Sequence, residues 1–286
     1  MDIVSRILTP NEGVLLSPIA APAAPSAGVH LSARNWGPFD LASMIAEAWP
    51  DAAIAPPPFQ WRYRELRPQS GSTLDTLGIA HNVTGTASTP ALASTNLMTS
   101  LHRTRLASAS GATSTAATRA GYTMCWRGNA AGLGGFLWHC RFGTSTAVAQ
   151  QRLFVGLYET ATVIGNVNPS TLLNLVGFGY DSAGANICTI RNDGAGTATL
   201  TSCGANAPVD SSTVFDGFIA CAPNDDGIWF KLVNRTTEVV ALDWTEYTTD
   251  LPANTTFFAP QLWINNGTTA SAAQIEFMSE VLACPI

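Results

Sequence analysis

The sequence has 286 residues, of which only 12% are charged, about half of the roughly 25% that is typical of soluble domains. Its hydrophobic content of 46% and its formal net charge of −6 exclude a mostly disordered chain, because such chains have too few apolar residues to build a core. The acidic balance also excludes a protein that binds DNA through bulk charge, since that affinity depends on neutralising phosphates. We therefore expect a folded protein with no nucleic-acid partner.

Residues 1–75 predict an N-terminal attachment segment with one short helix. Asp40 is a good N-cap, apolar residues recur with helical spacing over 41–49, and Pro50 ends the pattern. A strand-like stretch follows at 59–66, where aromatic residues and arginines alternate. A small folded N-terminal domain is the alternative interpretation of this region.

Residues 76–286 predict a separate β-sandwich domain. Its first part, 76–120, is rich in Ser, Thr and Ala with recurring leucines, which favours a meandering, partly helical or loop-like cover over a sheet. From Gly121 onward the pattern is β throughout. Residues 136–142 alternate between large apolar and polar side chains, so we expect a strand with one buried face, forming a hairpin with 122–126.

Two further hairpins are indicated by turn residues between strand-like stretches. Asn192-Asp193-Gly194 separates one pair of strands, and residues 234–237 separate another. Between these short strands the sequence has no helix long enough for a parallel crossover. The fold class predicted is all-β: an antiparallel β-sandwich, jelly-roll-like, preceded by the helix-containing attachment segment.

Charge is distributed unevenly along the chain. No acidic residue lies between Asp75 and Glu159, a stretch that contains six arginines, whereas the residues from Glu159 onward have a net charge of −10. Either these regions form neighbouring strands of one sheet system and pair their charges, or a basic surface of one subunit faces an acidic surface of the next. Low charge favours a homo-oligomer, because uncharged Ser, Thr and Ala surfaces are buried between subunits at little cost.

Motifs for catalysis, metals, cofactors and membrane spans are missing from the sequence. It has no nucleophile elbow, phosphate-binding loop or zinc spacing, and no run of about 18 apolar residues. Paired carboxylates are the exception that deserves weighing, since polysaccharide cleavage uses two. Asp225-Asp226-Gly227 is typical of a turn, and the other candidates are Asp243 with Glu246, and Asp181. We expect no enzyme, no metal and no cofactor, with a polysaccharide depolymerase as the alternative.

Aromatic residues beside polar loops are a second candidate feature. An aromatic ring stacks on the CH surface of a sugar, while planar amides and carboxylates bond its hydroxyl groups. Such groups occur together twice in the C-terminal part of the chain. The predicted glycan-binding residues are Asp243, Trp244, Tyr247, Trp263, Asn265 and Asn266.

An ordered series of motifs spans about residues 76–286. It includes GGFLWHCRFG at 134–143, RLFVGL at 152–157, GFGYD at 177–181, NDGAGTAT at 192–199 and NNGT at 265–268. In this series the chain resembles the C-terminal β domain of bacteriophage tail-fibre and minor structural proteins. The end of the chain, 277–286, differs from the polar and acidic tail of that family, and residues 1–75 match no family pattern.

The resemblance implies a fibre or spike protein on the surface of a virion or gene-transfer particle, assembled in the bacterial cytoplasm. It further implies a homo-oligomer, with a trimer favoured, that binds host cell-surface polysaccharide. The N-terminal segment would then contact other structural proteins of the particle, without membrane insertion. A purely structural particle protein with no ligand is the remaining alternative.

Overall fold

The computed structural model describes residues 61–66, 73–76, 79–160, 162–182 and 184–285. The predicted helix at 41–49 lies outside the described residues, as does most of the predicted attachment segment. The described residues form seventeen strands, one short helix and one 3-10 turn at Pro169–Thr171. No helix among them is long and apolar enough to cross a membrane.

The elements in chain order are β1 (Trp61–Leu66), β2 (Thr73–Thr76), β3 (Ile79–Thr84), β4 (Thr86–Ser88), α1 (Leu97–Ser100), β5 (Thr104–Ala107), β6 (Thr115–Ala120), β7 (Cys125–Trp126), β8 (Phe136–Thr144), β9 (Arg152–Tyr158), β10 (Leu175–Tyr180), β11 (Cys188–Asn192), β12 (Thr199–Ser202), β13 (Val214–Cys221), β14 (Ile228–Asn234), β15 (Val239–Tyr247), β16 (Phe257–Asn265) and β17 (Gln274–Pro285).

Two antiparallel sheets contain all of these strands. The eight-stranded sheet has the order β15-β14-β13-β8-β17-β5-β4, and β1 also pairs with β17. The nine-stranded sheet has the order β12-β11-β10-β9-β16-β6-β3-β2, and β7 also pairs with β16. The prediction of an all-β antiparallel sandwich is therefore confirmed. Both turn-based hairpins are confirmed as well, since β11 pairs with β12 and β14 with β15.

The main core lies between the sheets and follows from the alternation of their strands. In β8 the side chains of Phe136, Trp138, Cys140 and Phe142 are fully buried, as the sequence pattern predicts. From the opposite sheet, residues such as Leu262 complete the same core. Burial of these large side chains contributes roughly 1.5–3 kcal/mol each, which makes this cluster the main source of stability.

A second apolar cluster covers part of the outer face of the nine-stranded sheet. It includes Phe154 and Trp263 from the central strands, together with Ile164 and Leu172 from the β9–β10 connection. That connection therefore packs on the sheet and shields the tryptophan from solvent.

Three local expectations need correction. The stretch 122–126 does not form a hairpin with β8, because its short strand β7 pairs with the start of β16 instead. Residues 76–120 are not a loop-like cover, since β3, β4, β5 and β6 are integral strands of the two sheets. The sheets also extend N-terminal of residue 76, because β1 and β2 pair within them.

Residues of the basic region form ion pairs with residues of the acidic region within the same chain. Arg103 and Arg105 both contact the fully buried Glu276 of β17, with nitrogen–oxygen distances of 3.1 and 2.5 Å. Arg141 of β8 pairs with Asp216 of the neighbouring strand β13. These pairs agree with the first of the two interpretations, in which the basic and acidic regions form neighbouring strands and pair their charges.

Candidate functional site

The six predicted glycan-binding residues do not form one site. Asp243, Trp244 and Tyr247 belong to β15, the edge strand of the eight-stranded sheet. Trp263 and Asn265 belong to β16, a central strand of the other sheet, and Asn266 follows directly. The two groups therefore lie on different sheets, and they differ sharply in burial.

Trp263, Asn265 and Asn266 have internal structural roles. All three side chains are fully buried, and the Trp263 indole donates to the carbonyl of Ile164 at 2.8 Å. The Asn266 amide donates to the Gly111 and Ser271 carbonyls and accepts from the Ser114 backbone, which ties together the loops at this end of the sheet. Because these three side chains are not exposed at the surface, they are not part of the candidate site.

Tyr247 faces the interior side of its strand. Its ring packs edge-on against the buried Phe230 with centroids 5.4 Å apart, and the Arg191 guanidinium lies 3.9 Å from its ring centroid. A cation over an aromatic face at this distance is favourable. The residue therefore joins β15 to the opposite sheet rather than presenting an outward surface.

Trp244 completes a row of side chains across the outer face of the eight-stranded sheet, which we call the outer ladder: His139, Phe218, Lys231 and Trp244. His139, Phe218 and Lys231 are direct cross-strand neighbours in β8, β13 and β14. The rings of His139 and Phe218 stack with centroids 4.6 Å apart, and Phe218 lies 6.0 Å from Trp244. All four side chains are partly exposed, so three aromatic rings form a continuous surface over four strands.

Asp243 supplies a carboxylate at the Trp244 end of the outer ladder. Its Oδ1 accepts a hydrogen bond from Lys231 Nζ at 2.9 Å, and 79% of the side chain is exposed. The Lys231 bond, and then a bond from the Trp244 backbone, lower the pKa of Asp243 below its ordinary value. Asp243 is therefore ionised at neutral pH and acts as a hydrogen-bond acceptor rather than as a proton donor.

Asp216 anchors the other end of the outer ladder. Arg141 donates to both of its oxygens at 2.7 and 2.8 Å, and His139 Nε2 lies 3.1 Å from Oδ1. Arg235 Nε is 3.3 Å from Oδ2. Burial alone would raise the pKa of Asp216, but the bonds from Arg141 and His139 outweigh it and lower the pKa to about 2. This fixed negative charge positions His139 against Phe218.

This surface offers aromatic faces, a fixed carboxylate acceptor and a cation, which are groups suited to binding a ligand. Asp243 and Asp216 are both held ionised. No group of three or more His, Cys, Asp or Glu side chains suited to a metal occurs in the described part of the chain. Sequence reasoning missed Phe218 and His139, whose place in the ladder depends on the pairing of β8 with β13.

No protein-family model matches the chain, and no curated protein matches it. Several solved structures share its fold. A protein of unknown function from Shewanella oneidensis MR-1 superposes with a TM-score of 0.53 at 14% identity, covering 88% of this chain and 97% of that one. Lectin UEA-II in complex with galactose gives 0.52 at 8% identity, covering 79% and 99%. The winged bean acidic lectin complexed with methyl-α-D-galactose gives 0.51 at 12% identity, covering 79% and 99%. The chain therefore has a legume-lectin-like sandwich fold.

Proposed function

We propose that the chain binds carbohydrate through the outer ladder and Asp243. The observation that supports this most strongly is the geometry at Trp244, where a partly exposed indole lies beside a carboxylate that Lys231 keeps ionised. Apolar CH groups of a sugar pack on an aromatic face, and its hydroxyls donate to carboxylate oxygens. The lectin-like fold adds support, since two of the similar structures contain galactose or a galactoside.

The biological setting that we propose is a fibre or spike on a virion or related particle. The resemblance of the motif series from residue 134 to residue 268 to phage tail-fibre domains supports it. In this proposal the sandwich contacts host cell-surface polysaccharide, and the N-terminal segment contacts other particle proteins. Low charge favours a homo-oligomer, with a trimer as our choice, because uncharged surfaces are buried between subunits at little cost.

A glycan array and whole-cell binding with the full-length protein test this proposal. The wild-type protein should bind a subset of glycans, and Asp243→Ala and Trp244→Ala should each lose most of that binding. Phe257→Ala is a matched control, because Phe257 is an aromatic residue with 48% exposure that lies in the other sheet. Its binding should remain unchanged.

Three results would contradict the proposal. Binding of no glycan and no bacterial cell would favour the purely structural alternative. Loss of binding in Phe257→Ala but not in Trp244→Ala would move the site to the other sheet. Release of reducing ends from bound polysaccharide, abolished by Asp243→Asn, would favour the depolymerase.

A further inference from the structure

Arg119 and Gln261 lie side by side on the outer face of the nine-stranded sheet. They are direct cross-strand neighbours in β6 and β16. The face follows from alternation along β16, because Leu262 belongs to the core between the sheets and Trp263 to the cluster outside it. On its other side Gln261 is opposite Gly156 of β9, which contributes no side chain. Backbone of the next strand closes this side of the pair, since a Cβ at Gly156 would clash with the Val176 carbonyl oxygen.

Both residues have buried polar atoms without partners. Gln261 is fully buried, yet neither its Oε1 nor its Nε2 makes a hydrogen bond. In Arg119, Nε and Nη1 are likewise closed to solvent and unbonded. A buried polar group without a partner costs free energy, and a charged one costs more. Among the described residues between 79 and 285 with unbonded buried atoms, Gln261 is the only one in which both polar atoms of the side chain are unbonded, so it lacks a partner altogether.

Arg103, Arg105 and Arg141 of the basic region each pair with a carboxylate. Arg127 and Arg152 instead donate to carbonyl or amide oxygens. Arg119 pairs with no Asp or Glu side chain among the described residues between 79 and 285. Arg119 is only half-buried, and its neighbour in β3, Asn82, is exposed. The Asn82 end of this cross-strand row is therefore the exposed end, and Gln261 is the closed one.

We propose that Arg119 and Gln261 bind a carboxylate that has a neighbouring hydroxyl group, the combination present in a uronic acid. Nε and Nη2 of a guanidinium form a planar fork that matches the two oxygens of a carboxylate, as Arg141 does with Asp216. The Gln261 amide supplies one acceptor and one donor, which suit a hydroxyl next to that carboxylate. A single arginine balances one negative charge, so a phosphate dianion would remain partly uncompensated. The site is on the opposite outer face from the outer ladder and does not depend on it.

Calorimetric titration of the full-length protein with galacturonate and with galactose tests the proposal, because the two sugars differ at the carboxylate carbon. Galacturonate should bind at least about tenfold more tightly, as expected for a charge-assisted pair of hydrogen bonds. Arg119→Gln should abolish this preference. Arg152→Gln is the control, since Arg152 lies on the same face and donates to Asn166 at 2.6 Å. The preference for galacturonate over galactose should persist in the Trp244→Ala background, where the outer ladder no longer contributes, and this separates the two sites.

Two further variants keep the proposal falsifiable if Arg119→Gln does not fold. Arg119→Lys retains the charge but loses the fork, so it should weaken galacturonate binding. Gln261→Leu removes both unpaired atoms at similar size, so it should raise the melting temperature of the ligand-free protein and weaken galacturonate binding. Equal binding of the two sugars, unchanged binding in the Arg119 variants, or a lower melting temperature in Gln261→Leu would overturn the proposal.

Discussion

The buried pair His81 and Glu280 predicts a pH dependence of stability that single substitutions should expose. Both side chains are buried, with His81 Nε2 and Glu280 Oε2 3.9 Å apart, and Trp138 Nε1 donates to Glu280 at 2.7 Å. Burial lowers the pKa of His81 from 6.5 to about 4 and raises the pKa of Glu280 from 4.5 to about 7. Burial thus favours the neutral forms of both groups over an ion pair. Cys140, the cross-strand neighbour of Glu280, is also held neutral by a burial-raised pKa.

The two groups affect the free energy of unfolding in opposite directions. Glu280 binds a proton more tightly in the folded state, so its contribution is complete below pH 4.5 and is lost as the pH rises to 7. His81 binds a proton less tightly in the folded state, so its contribution is complete above pH 6.5 and is lost as the pH falls to 4. Each shift corresponds to about 3 kcal/mol, and the two slopes cancel over most of this range.

Urea unfolding at pH 4, 5, 6 and 7 tests this prediction, with each variant compared to the wild type so that the background from other groups cancels. Glu280→Gln keeps an acceptor for Trp138 and should lose about 3 kcal/mol, relative to wild type, as the pH falls from 6.5 to 4. His81→Asn should lose a similar amount, relative to wild type, as the pH rises from 4.5 to 7. An ion pair would instead leave both differences flat between pH 4.5 and 6.5, and that result would refute the reasoning.

Three other predictions concern the ion pairs. Glu276→Gln should lower the free energy of unfolding by about 3 kcal/mol in urea titration, because it leaves the buried Arg103 without its carboxylate, and a loss below about 1 kcal/mol would contradict this. Asp243→Asn should lower the free energy of unfolding by less than about 1 kcal/mol in the same assay, because the ion pair of Asp243 with Lys231 is largely exposed. A larger loss would contradict this and show that the pair has a structural role. Asp216 has a pKa lowered from 3.8 to about 2, so it should contribute about 2 kcal/mol above pH 3.8 that disappears as the pH falls to 2, and Asp216→Asn should remove this acid-dependent step.

Local patterns predicted the parts of the fold that depend on neighbouring residues. Alternation over β8 predicted its buried face, and Asn192-Asp193-Gly194 predicted the β11–β12 hairpin, because each depends on side chains a few positions apart. The pairing of β7 with β16 could not be found in this way, since the partners are far apart in sequence and no turn connects them. Strands β3 to β6 were missed because small Ser, Thr and Ala side chains give little periodic signal.

The candidate site was predictable to a similar extent. Trp244 and Asp243 were found because an aromatic residue and a carboxylate are adjacent in sequence. Phe218 lies near these two residues only because of the register in which β13 pairs with β14, which the sequence does not show. Asn266 was predicted as a glycan-binding residue, but its amide binds the carbonyls of neighbouring loops. The sequence could not separate these two roles, because an asparagine in a turn has the same local pattern in both.

The affinity of one glycan for three proteins tests the central claim most directly: the wild type, Trp244→Phe and Trp244→Ala. The glycan is the strongest binder on the array, and circular dichroism confirms that the variants fold. If the outer ladder binds carbohydrate, Trp244→Phe should retain intermediate affinity, and Trp244→Ala should bind at least about tenfold more weakly. Equal affinities in all three proteins would contradict the claim.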